Sequence, residues 1–136
     1  MIKHLTLASA AIALLTTPAM AAKKTGEEEL AEMLEGREAG EPTRCIRTLR
    51  SSGNLQVIDK TAIVYKRGDT VWVNKTRNPD QLDEDDILVI RKFGNTSQLC
   101  RLDNITTADR FNGFFTGAVF LTDFVPYKTV ETEEEG

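Results

Sequence analysis

Histidine is almost absent from this sequence: the 136 residues include one, His4, in the N-terminal stretch. The rest of the chain therefore cannot form a Ser-His or Cys-His nucleophile pair, and it lacks the commonest metal ligand. The acids that cluster in the middle of the chain do not follow the alternating pattern of an EF-hand; they are Asp80, Asp83, Glu84, Asp85 and Asp86. We predict no cofactor, no metal site and no identifiable catalytic residue. An enzyme of this composition would depend on carboxylate or lysine chemistry.

Cysteine is nearly as scarce, because Cys45 and Cys100 are the only two. They allow a single intramolecular pairing, which an oxidising compartment favours. Such a disulfide would stabilise the fold by about 4 kcal/mol in the chain-entropy model. It requires Cα atoms roughly 4.4–6.8 Å apart. A free reactive thiol or an intermolecular bridge is the alternative, although neither cysteine lies in a C-x-x-C motif.

Long hydrophobic runs are also missing. The apolar run at residues 5–15 is too short to span a bilayer. Lys3 precedes it and an Ala-Met-Ala sequence at residues 19–21 follows it, which is the order of a secretory signal with its cleavage motif. We predict a signal peptide at residues 1–21, a periplasmic or secreted location in a bacterium, and no membrane insertion after cleavage.

Charge divides the remaining chain into three parts. Residues 22–41 hold seven acids and three bases, and residues 129–136 hold four acids and no base. We interpret these flanks as an acidic helical or flexible N-terminal segment and a disordered acidic tail, both contributing little to the core. The β-rich domain between them, residues 42–128, has a positive excess too small for nucleic-acid binding. The partner is unknown; an envelope protein or a small ligand is compatible with these properties.

The clearest structural signal is a hairpin at residues 61–75. Gly68-Asp69 suits a two-residue turn, which would place Tyr65 opposite Trp72 and Val64 opposite Val73. Both faces then carry large apolar side chains. We therefore predict a central hairpin that later strands cover on both sides.

Further short apolar runs predict strands at residues 45–49, 55–58, 87–90 and 98–102, with a final strand or strand pair at residues 119–125. Residues 87–90 should be buried on both faces, residues 98–102 should return as the hairpin partner of that strand, and Pro126 indicates an edge. The fold class is all-β: a small sandwich or barrel of about seven short antiparallel strands.

Two segments are less regular. A capping box at Thr25 and the spacing of Leu30, Met33 and Leu34 predict a short N-terminal helix outside the β-structure. Residues 104–117 are undecided: their phenylalanines, Phe111, Phe114 and Phe115, could cap the core from an irregular segment. A helix there would make the fold α+β.

Two weak signals in the sequence predict a ligand surface. Arg44, Arg47 and Arg50 lie close together in the sequence and could bind an anion, while Tyr65 and Trp72 could stack on a sugar or a base. Aromatic residues such as these are more often part of the core.

The order of motifs resembles an uncharacterised family of small exported proteobacterial proteins. The matching pieces lie at residues 45–46, 57–59, 61–65, 73–74, 86–89, 97–100, 103 and 124–127, and the Ser-Gln-Leu-Cys sequence ending at Cys100 is the most specific. Many relatives carry two further cysteines, one where this chain has Asn78 and the other near Ala118 or Val119. The resemblance implies that one complete disulfide has been lost here. It implies no activity, since the family has none established.

These observations predict an exported envelope protein that acts as a non-enzymatic binding or structural module. The alternative is a carboxylate-dependent envelope hydrolase. Such an enzyme would need two carboxylates facing each other across a cleft.

Overall fold

A computed structural model describes residues 21–48, 54–92 and 97–131. The described residues form one α-helix and ten β-strands. In chain order these are α1 (Gly26–Met33), β1 (Arg37–Ala39), β2 (Cys45–Arg47), β3 (Leu55–Ile58), β4 (Ala62–Arg67), β5 (Thr70–Asn74), β6 (Asp86–Arg91), β7 (Gln98–Cys100), β8 (Asn104–Asp109), β9 (Phe115–Val119) and β10 (Val125–Thr129). The predicted all-β fold is confirmed, and the strands do not close into a barrel. Residues 104–117 contain β8 and the first part of β9, so the α+β alternative is wrong. The signal-peptide prediction falls on residues outside the described part, apart from Ala21.

The strands form three antiparallel sheets stacked as a sandwich. The five-stranded sheet has the order β1-β10-β5-β4-β3, the two-stranded sheet is β2-β7, and the three-stranded sheet is β6-β8-β9. One apolar cluster joins all three sheets, and a second lies between the five-stranded sheet and the helix. The five-stranded sheet is therefore a middle layer, with the helix on one side and both smaller sheets on the other.

The β4–β5 hairpin occupies this middle layer as predicted. Gly68 has φ +58°, a conformation that favours glycine, and the register pairs Tyr65 with Trp72 and Val64 with Val73. Tyr65 belongs to the cluster shared by the three sheets, whereas Val64 belongs to the cluster beneath the helix. Both faces are covered, although the helix rather than later strands covers one of them.

The N-terminal segment contributes to the core, contrary to the prediction from its thin apolar stripe. The Thr25 capping box is present, and Leu30 is buried against β4 and β5. After the helix, β1 pairs with β10 and extends the five-stranded sheet. Residues 26–39 are thus part of the folded domain.

The C-terminal boundary of the folded domain lies later than predicted. Thr129 pairs with Arg37, and the amide of Val130 donates to the carbonyl of Gly36 at 3.1 Å. The predicted acidic tail therefore begins later than residue 129; residues 132–136 lie outside the described part of the chain.

Two predictions about β6 and β7 are wrong. Exposure alternates along β6, and Ile87 and Val89 point outwards, so this strand is buried on one face only. β7 pairs with β2, while β6 pairs with β8. Four consecutive aliphatic residues look the same in a sequence whether one face or both are covered.

Pro126 does not mark an edge strand, because β10 lies between β1 and β5. Its carbonyl accepts a hydrogen bond from the amide of Gly40 at 2.7 Å, just beyond the end of β1. The nitrogen and oxygen of one strand residue point to the same side, so the proline nitrogen also faces Gly40. The missing N–H therefore costs no hydrogen bond to β5.

The predicted disulfide between Cys45 and Cys100 is present, with Cα atoms 4.0 Å apart, just below the predicted range. The two cysteines are direct partners in the β2–β7 register. The neighbouring pair Arg44–Arg101 is hydrogen-bonded, Arg101 N to Arg44 O at 2.8 Å, and so is the pair three positions along from the cysteines, Thr48 N to Ser97 O at 2.9 Å. The cysteines thus occupy a non-hydrogen-bonded pair, the closer of the two antiparallel spacings. The bond connects two three-residue strands that have no other sheet partner in the described structure.

The docked helix leads to a stability prediction. Leu30→Ala should lower the free energy of unfolding by about 2–4 kcal/mol, because it opens a cavity between the helix and the five-stranded sheet. Chemical denaturation of the chain beginning at Ala22 would measure this loss. Glu35→Ala, an exposed change in the same segment, should stay within about 0.5 kcal/mol of the parent. Equal stability of all three proteins would show that the helix does not pack on the sheet.

Candidate functional site

The residues predicted as a ligand surface do not lie on one surface. Tyr65 is only 1% exposed and packs in the cluster shared by the three sheets. Trp72 packs against the same cluster but is half-buried. Arg44 and Arg47 are exposed on and beside β2, and Arg50 lies outside the described residues. Tyr65 is therefore a core residue, and no stacking pair of Tyr65 and Trp72 is available to a ligand.

One groove does bring two of the predicted residues together. It runs between β2 and the tip of the β4–β5 hairpin, has a volume of about 530 Å³, and contains Arg47, Trp72 and Arg67. Glu41 also lines it and offsets part of the positive charge. Gly68 and Thr70 of the hairpin tip also line it. A planar anion could lie between the two guanidinium groups and the indole ring.

The acids of the 76–86 loop do not form a metal site. Within the described residues, no group of three or more histidine, cysteine or acidic side chains is close enough to hold an ion. Asp83 accepts a hydrogen bond from the amide of Asp85 at 2.9 Å, and Asp86 accepts one from the hydroxyl of Thr116 at 2.5 Å. Their carboxylates therefore order the loop and the start of β6.

Two of these acids border a groove of about 400 Å³ between the edge strands β3 and β6. Glu84, Asp86 and Glu29 of the helix are among its lining residues. Lys23 donates to the carboxylate of Glu84, and this hydrogen bond raises the pKa of the lysine. Gln56 donates to Glu29 at 3.0 Å. This is the place in the described structure where a carboxylate-dependent activity could reside.

A larger feature lies on the outer face of the three-stranded sheet, which we term the phenylalanine face. One row of cross-strand neighbours points into the core: Ile90, Ile105 and Val119. A second row lies on the opposite side of the sheet: Ile87, Ala108 and Phe115. Phe115 is 69% exposed, and Phe120, just beyond β9, is 58% exposed. The phenylalanine face thus comprises Ile87, Val89, Phe115 and Phe120, and the exposed Phe111 and Phe114 lie in the adjoining β8–β9 turn.

The β8–β9 turn beside this face exposes two further phenylalanines. Phe111 and Phe114 are 87% and 73% exposed, so they do not cap the core as predicted. The carboxylate of Asp109 accepts from the amides of Phe111 and Asn112 at 2.8 and 2.9 Å, and the Asn112 side chain accepts from the Phe114 amide at 2.8 Å. Gly113 completes the turn at φ +74°. The backbone of the turn is ordered by its own polar groups, without support from the core.

A concave site, the arginine groove, lies at one end of the phenylalanine face and has a volume of about 460 Å³. Three arginines line it, each from a different part of the chain: Arg77 from the loop after β5, Arg91 from the end of β6, and Arg101 from the turn after β7. Its apolar lining includes Leu102, Ile105, Phe115, Val119, Phe120 and Leu121. Charged and apolar groups therefore meet in one groove.

Backbone hydrogen bonds fix the walls of this groove. The amide of Arg77 donates to the carbonyl of Phe120 at 2.8 Å. The side chain of Asn78 donates to the carbonyl of Ala118 at 2.7 Å and accepts from the amide of Phe120 at 3.0 Å. Asn78 thus takes the place of a neighbouring strand along the free edge of β9.

The charges in the groove are unequally paired. Arg101 forms an ion pair with Asp123 at 3.0 Å. Among the described residues, neither Arg77 nor Arg91 has a carboxylate within 4 Å. Asp103 also lines the groove and offsets part of its positive charge; one oxygen of its carboxylate accepts from the amide of Cys100 at 2.7 Å. Two cationic groups are left available to an anion.

Sequence reasoning missed both the phenylalanine face and the arginine groove. The one available signal was the density of phenylalanine between residues 111 and 120, four in ten positions. The three arginines are separated by ten residues or more, so only the pairing of β6 with β8 and the path of the 76–82 loop bring them together.

Comparisons with known proteins find no relative of this chain. Neither a family model, nor a curated protein, nor a solved structure matches the chain.

Proposed function

We propose that this protein is an exported, non-enzymatic binding module of the bacterial cell envelope, and that the phenylalanine face is its binding surface. The observation that carries the proposal is the exposure of four phenylalanines on or beside a sheet whose other face belongs to the core. Contiguous exposed apolar groups of this size are typical of surfaces that contact a partner or ligand. The defined hydrogen bonds of the β8–β9 turn support a preorganised surface.

Export is supported by the cysteines. The Cys45–Cys100 disulfide fits an oxidising location outside the cytoplasm. Within the described residues, no helix is long and apolar enough to cross a membrane. Together with the signal-like sequence at residues 1–21, the disulfide favours the periplasm or the exterior of a bacterium as the site of function.

The second candidate function is hydrolysis at the groove between β3 and β6. It is favoured by the three carboxylates there, those of Glu29, Glu84 and Asp86. All three already bond protein groups, which leaves fewer lone pairs for a substrate or a water molecule. Hydrolysis of an envelope polymer that Glu84→Gln abolishes and Phe115→Ser leaves unchanged would establish this candidate.

We also propose membership of the exported proteobacterial family that the sequence resembles. In the relatives, one additional cysteine stands at the position of Asn78 and the other stands near Ala118 or Val119. In this fold the Asn78 side chain hydrogen-bonds the carbonyl of Ala118. The hydrogen bond connects the same two segments that the second disulfide of the relatives would join.

A crosslinking experiment tests this relationship. The test variants are Asn78→Cys/Ala118→Cys and Asn78→Cys/Val119→Cys. We expect one of them to form a second intramolecular disulfide on oxidation, because both place the new cysteines on the two segments that Asn78 connects. Mass spectrometry of peptides from the unreduced protein would detect it. A matched control, Asn78→Cys/Thr129→Cys, should keep free thiols. If neither test pair crosslinks in a folded protein, the family proposal loses its structural support.

The binding proposal predicts that envelope association depends on the exposed phenylalanines. Phe115→Ser/Phe120→Ser should weaken co-sedimentation of the purified chain with envelope vesicles of a Gram-negative bacterium by about tenfold or more, because two apolar contacts are lost. Val130→Ser removes an exposed apolar side chain at the end of β10 and should leave association unchanged.

Both variants should keep the melting temperature of the parent, since the altered side chains are exposed. Equal sedimentation of the parent and the folded double variant would refute the phenylalanine face as the binding surface.

A further inference from the structure

The arginine groove has a polarity that points to one kind of ligand. Arg77 and Arg91 provide two guanidinium groups without an ion-pair partner in the described residues, and Arg101 adds a third that Asp123 partly neutralises. Guanidinium groups bind carboxylate and phosphate oxygens in a bidentate manner. The cationic part of the groove therefore favours an anionic group with several oxygens.

The rest of the groove is apolar. Phe115, Phe120 and Leu102 are exposed beside the arginines, and Ile105 and Val119 line the groove where it meets the core. A small inorganic anion would leave these side chains in water, whereas an attached alkyl chain would cover them. The volume of about 460 Å³ lies within the usual range of small-molecule sites.

We propose that the arginine groove binds a single-chain anionic amphiphile, with its carboxylate or phosphate on Arg77 and Arg91 and its alkyl chain along Phe115 and Phe120. This inference rests on the proposed function and names the ligand class of one end of the phenylalanine face. The ligand is a free amphiphile that enters the groove as a monomer. Phe111 and Phe114, on the turn at the other end of β9, are not part of this site.

The test uses dodecanoate below its critical micelle concentration, with binding to the purified chain measured by isothermal titration calorimetry. Dodecyltrimethylammonium has the same alkyl chain and the opposite charge, and we expect it to bind at least about tenfold more weakly. Arg77→Gln/Arg91→Gln should weaken dodecanoate binding by about tenfold, the combined effect of two partly exposed charge pairs.

The matched control is Lys66→Gln/Lys128→Gln, which removes the same charge from exposed positions on the five-stranded sheet and should leave dodecanoate binding within twofold of the parent. Phe115→Ser/Phe120→Ser should also abolish binding, since it removes the apolar contacts.

Three results would overturn the proposal: no heat of binding with dodecanoate, equal affinity for the cationic amphiphile, or parent-like binding by Arg77→Gln/Arg91→Gln. Binding only to vesicles that contain anionic lipid, and not to monomeric dodecanoate, would also overturn it. In each case, loss of envelope sedimentation in Phe115→Ser/Phe120→Ser would still support the phenylalanine face as a binding surface, so the two proposals can fail separately.

Discussion

The burial of the β4–β5 hairpin on both faces is the constraint on which this structure depends. Alternate residues of β4 point to opposite sides of the sheet, and all four from Ala62 to Tyr65 are buried. A single apolar layer therefore cannot cover both faces of the hairpin. The helix covers the side of Val64, and the two small sheets cover the side of Tyr65. The N-terminal segment is needed for this reason, even though its own apolar stripe is thin.

The same constraint explains why the phenylalanine face is left uncovered. The three-stranded sheet uses its inner face, with Ile105 and Val119, to cover the hairpin. No further layer of the described structure lies beyond it, yet its outer side carries Ile87, Phe115 and Phe120 in exposed positions. A sheet that only had to complete the core would place polar side chains there. The exposed side chains of this outer face are therefore not part of the core of the described structure, and we propose them as the binding surface.

Sequence reasoning succeeded where local chemistry decides the structure. The Gly68-Asp69 turn determines the hairpin register, and two cysteines allow a single intramolecular bond. It failed where contacts between distant segments decide the structure. Leu30 docks on the β4–β5 hairpin, which lies far along the chain, and the partner of β7 is β2 rather than the nearer β6. The arginine groove could not be predicted from the sequence for the same reason, because its three arginines come from separate parts of the chain.

The central claim is that the aromatic residues divide into buried and ligand-accessible groups, and photochemical carbene labelling read by mass spectrometry tests it most directly. In the free protein we predict strong labelling of Phe111, Phe114, Phe115 and Phe120 and almost none of Tyr65 and Phe124. With envelope vesicles present, labelling of the four exposed phenylalanines should fall, while the buried pair stays unlabelled. Strong labelling of Tyr65 and Phe124 would contradict the sandwich described above. Unchanged labelling of the four phenylalanines on envelope vesicles that retain the protein would contradict their role in binding.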